Sequence, residues 1–265
     1  MAMHFDDYFW PGTRVLTNKL DHHNNEDLHD EEYIWTSARE QLIRAGTADI
    51  DQTFDAEHLR QLHRYLFQDV YEWAGRYREV NFGKDDKPFA HINDIDYFLG
   101  EATRTIDATP WAELNREEFV EQSSQIYADI NHAHPFREGN GRTAKLFMSQ
   151  LAEHSGYDYH FHAIDPYAWN LGSALSRPVR GKFDTLPDML HPVFDAITVE
   201  RPQPAAATTQ PDAEHHRELH YDQHPEPLGY QQHPEPPTYN QHPEIVYRHY
   251  GPGPEGPGHH RGMSR

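Results

Sequence analysis

Nine consecutive residues, His134-Pro135-Phe136-Arg137-Glu138-Gly139-Asn140-Gly141-Arg142, bring an imidazole, a carboxylate, an amide, guanidinium groups and two glycines together between two helical patterns. Gly139 and Gly141 remove Cβ atoms where a helix begins. Successive backbone N–H groups can then curl into a concave donor cluster at the positive end of the helix dipole. Such a corner suits an anion, phosphate above all. Arg142, in the first turn, can clamp phosphate oxygens with two N–H groups. Glu138 would repel a bare phosphate and is suited to hold Mg²⁺ bridging two phosphates. His134, with a reference pKa of about 6.5, is the group here fitted to take a proton near neutrality. This set describes transfer of part of a nucleotide to a hydroxyl.

The elements that must position these groups are helical. Phe119, Ser123, Ile126, Tyr127 and Ile130 recur at helical spacing, Asn115 with Glu118 forms a start signal, and Pro135 expels the preceding residue from the α region. Ala144, Phe147, Met148 and Leu151 then step by three and four, with Gly156 as the stop. The motif is therefore a helix-loop-helix corner. Further helices are predicted over 30–45 (stripe Ile34, Trp35, Ala38, Leu42), 55–74 (Leu59, Leu62, Leu66, Val70, capped by Asp55) and 94–108 (Ile95, Phe98, Leu99, Ala102). Another starts at Asp165-Pro166, and a last one runs near 188–198. His58 and His63 read as surface or satisfied core groups, and His132 as a helix-end residue. Alternation on both sides of Gly83-Lys84-Asp85-Asp86-Lys87-Pro88 predicts a hairpin, the only β structure expected. Phe5 to Leu20 reads as an aromatic-rich turn packed over the core.

The chain has 265 residues and a net charge of −20, which argues against primary nucleic-acid binding. It has no cysteine, which excludes disulfides and thiolate chemistry, and no apolar run long enough to span a membrane. The first residues lack signal-peptide features, so cytoplasmic residence is the expectation. One domain is expected over residues 1–199. Residues 200–265, rich in Pro, Gln, Glu and His, cannot bury enough surface to offset chain entropy and read as a disordered tail. That tail repeats Tyr221-Asp222-Gln223-His224-Pro225-Glu226 at nine-residue intervals, from Tyr230 and from Tyr239.

From His134 through Arg142 the chain resembles the Fic family signature, His-x-Phe-x-Asp/Glu-Gly-Asn-Gly-Arg-x-x-Arg. Leu66-Phe67-Gln68-Asp69-Val70-Tyr71-Glu72-Trp73-Ala74-Gly75 and the Pro-Gly-Thr opening extend the resemblance, the latter toward toxin-type members. It implies a mainly α Fic fold, a helical bundle with a small β-hairpin flap. It also implies transfer of AMP from ATP to a Tyr, Ser or Thr hydroxyl of a target protein. Carried over, His134 is the base, Phe136 anchors the loop, and Glu138 holds Mg²⁺. Gly139, Asn140 and Gly141 hold the α-phosphate region, and Arg142 takes the outer phosphates. Lys145 stands where the family has its second arginine, keeping the charge but losing the planar fork. The flap, with Lys84, Lys87, Phe89, Ala90 and His91, would pair with an extended target segment by strand addition. Thr36 to Gln41 nearly fits the family's self-inhibitory Ser/Thr-x-x-x-Glu-Gly/Asn pattern. A separate small antitoxin protein is the other source of such a glutamate, and DNA topoisomerase subunits are targets by family analogy. Two rivals remain: a Doc-type kinase, whose motif carries lysine in place of Gly141, and a non-catalytic nucleotide-binding adaptor working through the tail.

Overall fold

Capping residues set the helix starts in the computed structural model, which describes residues 4–84, 87–202 and 248–249. Helix α1 (Asn25–Arg44) follows Asn24, whose side chain accepts the Asp27 N–H, and α2 (Ala56–Phe67) follows Asp55, which accepts from His58. Strands β1 (Phe82–Lys84) and β2 (Lys87–Pro88) form the hairpin, and α3 (Ile95–Ala108) comes next. Helix α4 (Arg116–Ala133) opens on a full capping box between Asn115 and Glu118. It is followed by α5 (Asn140–Ala152), β3 (Tyr157–Tyr159), α6 (Pro166–Leu175), α7 (His191–Ile197), β4 (Thr198–Glu200) and β5 (Arg248–His249). The chain is thus mainly α. No helix among the described residues is long and apolar enough to cross a membrane.

The core is continuous through the centre of the bundle. Leu59, Leu62, Leu66 and Val70 are buried, as are Phe98 and Leu99 of α3, Phe119 and Ile126 of α4, and Phe147, Met148 and Leu151 of α5. These are the residues whose helical spacing predicts a core face. Helix α3 packs along α4, and α2 packs against α5, so the loop between α4 and α5 is flanked by packed helices.

Four expectations need correction. Helix α1 turns its predicted stripe outward: Ile34 is 65% and Trp35 42% exposed, and Leu42 is also exposed. Its buried face is Leu28, Glu32, Thr36 and Ile43, because α1 packs against polar groups of the motif rather than against a purely apolar wall. Helix α2 stops at Phe67, and residues 68–75 fold as successive turns ending at Gly75, whose φ is +78°. The helix near 188–198 is shorter, with Pro187–Met189 a separate 3₁₀ turn. Finally, the hairpin is not the only β structure. β3 pairs antiparallel with β4, and β1 pairs with β2 on one side and β5 on the other.

The first of these sheets carries the globular part past residue 199, since Arg201 forks onto Asp158 at 2.6 and 3.1 Å. The expectation for the tail otherwise lies outside the described residues, apart from β5. The aromatic opening does cover the core: the Arg137 guanidinium is buried under the rings of Phe5, Phe9, Phe82 and Tyr8, at 5.0–5.7 Å from their centroids.

Candidate active site

The motif is held by buried groups outside it. His134 is the C-cap of α4 in left-handed backbone geometry (φ +41°). That turn ends the helix and swings the imidazole against the hairpin, where Phe89 stacks on it with centroids 3.5 Å apart and Phe82 meets it edge-on. The buried Arg78 guanidinium donates to the carbonyls of His134, Val80, Ala90 and Ala133, stitching the end of α4 to the hairpin. Arg177 lies over Phe89 and donates to the Lys87 carbonyl. Burial pushes the His134 imidazole well below its usual pKa, and Arg78, Arg177 and Lys84 push the same way, against a hydrogen bond with the Asn131 backbone. The ring is therefore neutral at neutral pH, in the form that accepts a proton.

Phe136 is fully buried and stacks on His63 with centroids 3.8 Å apart. His63 Nε2 donates to the Glu138 carbonyl at 2.9 Å, while its Nδ1 accepts the Gly75 N–H at 2.8 Å. Those two bonds fix a neutral tautomer, and burial lowers its pKa to about 3. His63 is thus the satisfied core group expected, and also the strut under the motif. His58 is likewise buried, with a lowered pKa, and burial brings His132 to about 4.

Asn140 closes the loop from within. Its Oδ1 accepts the Phe136 N–H and its Nδ2 donates to the Phe136 carbonyl, at 2.9 and 2.8 Å. The amide expected to face phosphate therefore holds backbone first. Gly139 is the N-cap of α5 with φ +80°, and no side chain caps that helix. A Cβ there would lie 2.2 Å from the Phe67 ring. At Gly141, by contrast, an added Cβ would meet no atom of the described residues within 4 Å. The chain's own packing does not demand glycine at 141, and an uncapped helix start with open space above it is what a phosphate needs. The Glu138 carboxylate accepts the Gly139 N–H at 2.9 Å at this mouth. Among the described residues no group of three or more His, Cys, Asp or Glu side chains could hold a metal, but Mg²⁺ on a nucleotide needs only one or two carboxylates beside the phosphates. Glu138 fits that use.

Arg142 comes from the first turn of α5. It donates through Nη1 to Thr36 Oγ at 3.1 Å and through Nη2 to Glu32 of α1, while its guanidinium lies over Phe67. Burial works to lower its pKa, but Glu32 and then Glu138 outweigh this and leave it raised. Lys145, one turn on, does not join this group. Its ammonium lies over Trp169 and Phe161, 4.5 and 5.3 Å from the centroids, with a pKa lowered by burial against the pull of Glu40. Glu40 itself pairs with Arg44 at 2.7 Å.

In the flap, Phe89 and Ala90 are buried against the end of α4, with Ala90 N–H bonded to the His132 carbonyl. Lys87 Nζ donates to the Ala174 carbonyl, and His91 caps the following turn by accepting from Asn93 N–H. Of the expected flap residues, Phe89 alone stacks on His134, Lys84 acts on it only through its charge, Lys87 and Ala90 anchor the hairpin, and His91 serves the turn that follows. Arg78, Arg177 and Glu32 carry no sequence signal of their role. Arg78 sits in an alternating stretch that reads as strand, and Glu32 among the many acidic residues of a solvated-looking helix.

The Fic/DOC family profile matches residues 53–152. The Escherichia coli (strain K12) protein named "Probable protein adenylyltransferase Fic" is 33% identical over 166 residues, which is 62% of this chain and 81% of that protein. "Protein adenylyltransferase VbhT" of Bartonella schoenbuchensis is 34% identical over 197 residues, 74% of this chain but 40% of that longer protein. Among solved structures, BepC of Bartonella tribocorum with bound AMPPNP superposes with a TM-score of 0.64 at 25% identity, covering 74% of this chain and 98% of that one. An N-terminal Fic domain from Bartonella quintana with bound ADP gives 0.64 at 27%, covering 74% and 95%.

Proposed function

This chain belongs to the Fic/DOC family, and from that membership and the geometry of its motif we propose that it is a protein adenylyltransferase, moving AMP from ATP to a hydroxyl of a target protein. The observation that carries this reading is the juxtaposition of an uncapped, glycine-lined start of α5 with a buried histidine held neutral. One binds phosphate and the other takes a proton. Relatives bearing the adenylyltransferase name, and structural neighbours with AMPPNP or ADP bound, support it.

In the reaction, the target hydroxyl oxygen attacks the α-phosphorus and gives its proton to His134. A new O–P bond forms, the bond from the α-phosphorus to the α–β bridging oxygen breaks, and pyrophosphate leaves. The first-turn amides of α5 bind the phosphoryl oxygens, and Arg142 reaches the outer phosphates. When bound, Mg²⁺ on Glu138 would neutralise charge on the departing pyrophosphate. Gly141, where the Doc type carries lysine, favours AMP transfer over phosphate transfer. The acceptor we assign is a Tyr, Ser or Thr side chain in an extended segment laid along the hairpin. The physiological setting we assign is a cytoplasmic toxin restrained by a small antitoxin protein, with DNA topoisomerase subunits as candidate targets by family analogy.

The test is incubation of the chain and its His134→Ala variant with Mg²⁺, a bacterial lysate and ATP labelled at the α or the γ position. The α-label should pass to a discrete protein band and vanish in the variant, while the variant keeps its ATP affinity. Transfer of the γ-label, or loss of ATP binding with His134, would refute the assignment.

A further inference from the structure

We propose that Glu32 of α1, its carboxylate held by Tyr71, is a positioning residue that, together with Thr36, aims Arg142 at the outer phosphates of the nucleotide. This deepens the function proposed above and rests on it. Glu32 lies in the half of the chain remote in sequence from the motif, and the residue is only 6% exposed in a helix otherwise rich in solvated acids. Both of its oxygens are engaged: Oε1 accepts from Arg142 Nη2 and Oε2 from the Tyr71 hydroxyl. Thr36, one turn further along α1, donates its hydroxyl to the Glu32 carbonyl at 2.8 Å and accepts from Arg142 Nη1 at 3.1 Å. Phe67 supplies a ring face 4.7 Å from the guanidinium carbon. Three helices and the turns after α2 thereby fix the plane and direction of a single arginine.

A guanidinium has five N–H groups. Glu32 and Thr36 take one each, from different amino groups, so among the described residues three remain for an incoming phosphate. The arrangement therefore orients the arginine without using it up. Without Glu32, the other carboxylate coupled to Arg142 is Glu138, the group assigned to Mg²⁺. Arg142 would then lean onto the metal ligand and away from the phosphates. The opposing effect is electrostatic: a buried anion beside Arg142 lessens its pull on phosphate, so a purely Coulombic role predicts tighter nucleotide binding when Glu32 is neutralised. The preformed geometry favours positioning, since ordering a long arginine side chain afresh is worth about a tenfold change in affinity or more.

The experiment titrates the full chain with ATP, ADP and AMP in Mg²⁺, by calorimetry, for the wild type, Glu32→Ala, Glu32→Gln, Tyr71→Phe, Arg142→Ala and the Glu32→Gln/Arg142→Ala pair. ATP and ADP affinity should fall about fivefold to twentyfold in the Glu32 variants and less in Tyr71→Phe. AMP, which has no outer phosphate, should bind as before, and Glu32→Gln should have no further effect once Arg142 is gone. Should Glu32→Ala fail to fold, Glu32→Gln and Tyr71→Phe carry the comparison. Equal losses for AMP and ATP would show a merely structural role, and tighter ATP binding in Glu32→Gln would show an internal competitor; either overturns the proposal. A wild-type chain that binds none of the three nucleotides would overturn the functional reading along with it.

Discussion

Two glycines separated by a single residue in the motif, Gly139 and Gly141, should respond to the same substitution in opposite ways. Gly139 has φ +80°, and a Cβ built on it falls 2.2 and 2.4 Å from Cζ and Cε2 of Phe67. Left-handed backbone costs a non-glycine residue about 1–2 kcal/mol. Forcing a methyl into a packed ring adds about 1–3 kcal/mol. Gly139→Ala should therefore lose about 2–5 kcal/mol, a fall in Tm of about 4–20 °C for a domain of this size. Phe67 would have to move, and Arg142 lies on its other contacts, so activity should fall too. Gly141 sits in the first turn of α5 with no strained φ and open space around its missing Cβ. Alanine there should gain up to about 1 kcal/mol from helix propensity. The same methyl, however, would stand where the phosphate must approach the backbone, and ATP affinity should drop at least about tenfold. Thermal melts paired with ATP titration decide the matter. A Gly141→Ala variant that binds ATP normally, or melts as early as Gly139→Ala, would refute the claim that Gly141 is reserved for a ligand.

Acid should destabilise the fold through its buried histidines. His58, His63, His132 and His134 all have lowered pKa values in the folded chain, about 3 for His63 and about 4 for His132. Below pH of about 6.5 the unfolded chain binds more protons at these sites than the folded one, so stability falls with pH. The slope grows as the unfolded histidines protonate, toward a limit of about 1.4 kcal/mol per pH unit for each site that stays neutral in the folded chain. Tm should be flat from pH 9 to 7 and drop steeply between 6.5 and 5; an unchanged Tm at pH 5 would contradict their buried, neutral state. Removal of residues 203–265 should leave AMP transfer intact, because the motif and its supports lie in residues 4–202. It should also speed hydrogen exchange at the backbone of Phe82 and Gly83, which pair with β5. Slower transfer, or unchanged exchange at β1, would argue for a different role for that strand.

What the sequence by itself determined is the local part. The nine motif residues are contiguous, so their chemistry, the phosphate corner and the base could all be read from one stretch. Helices α2 to α5 announce themselves because their apolar residues, such as Leu59, Leu62 and Leu66 or Phe147, Met148 and Leu151, keep a 3.6-residue period toward one core. Only the tertiary structure decided what holds that chemistry in place. Glu32 reaches Arg142 across 110 positions, Arg78 binds the His134 carbonyl across 56, and His63 supports Glu138 across 75. A charged residue turned inward by a distant partner breaks the apolar period instead of following it. Helix α1 shows the consequence: its apolar stripe faces outward and its polar residues face in. The physical reason is that burial of a charge is set by whether its partner arrives, and no spacing along the chain records which partner folding will bring.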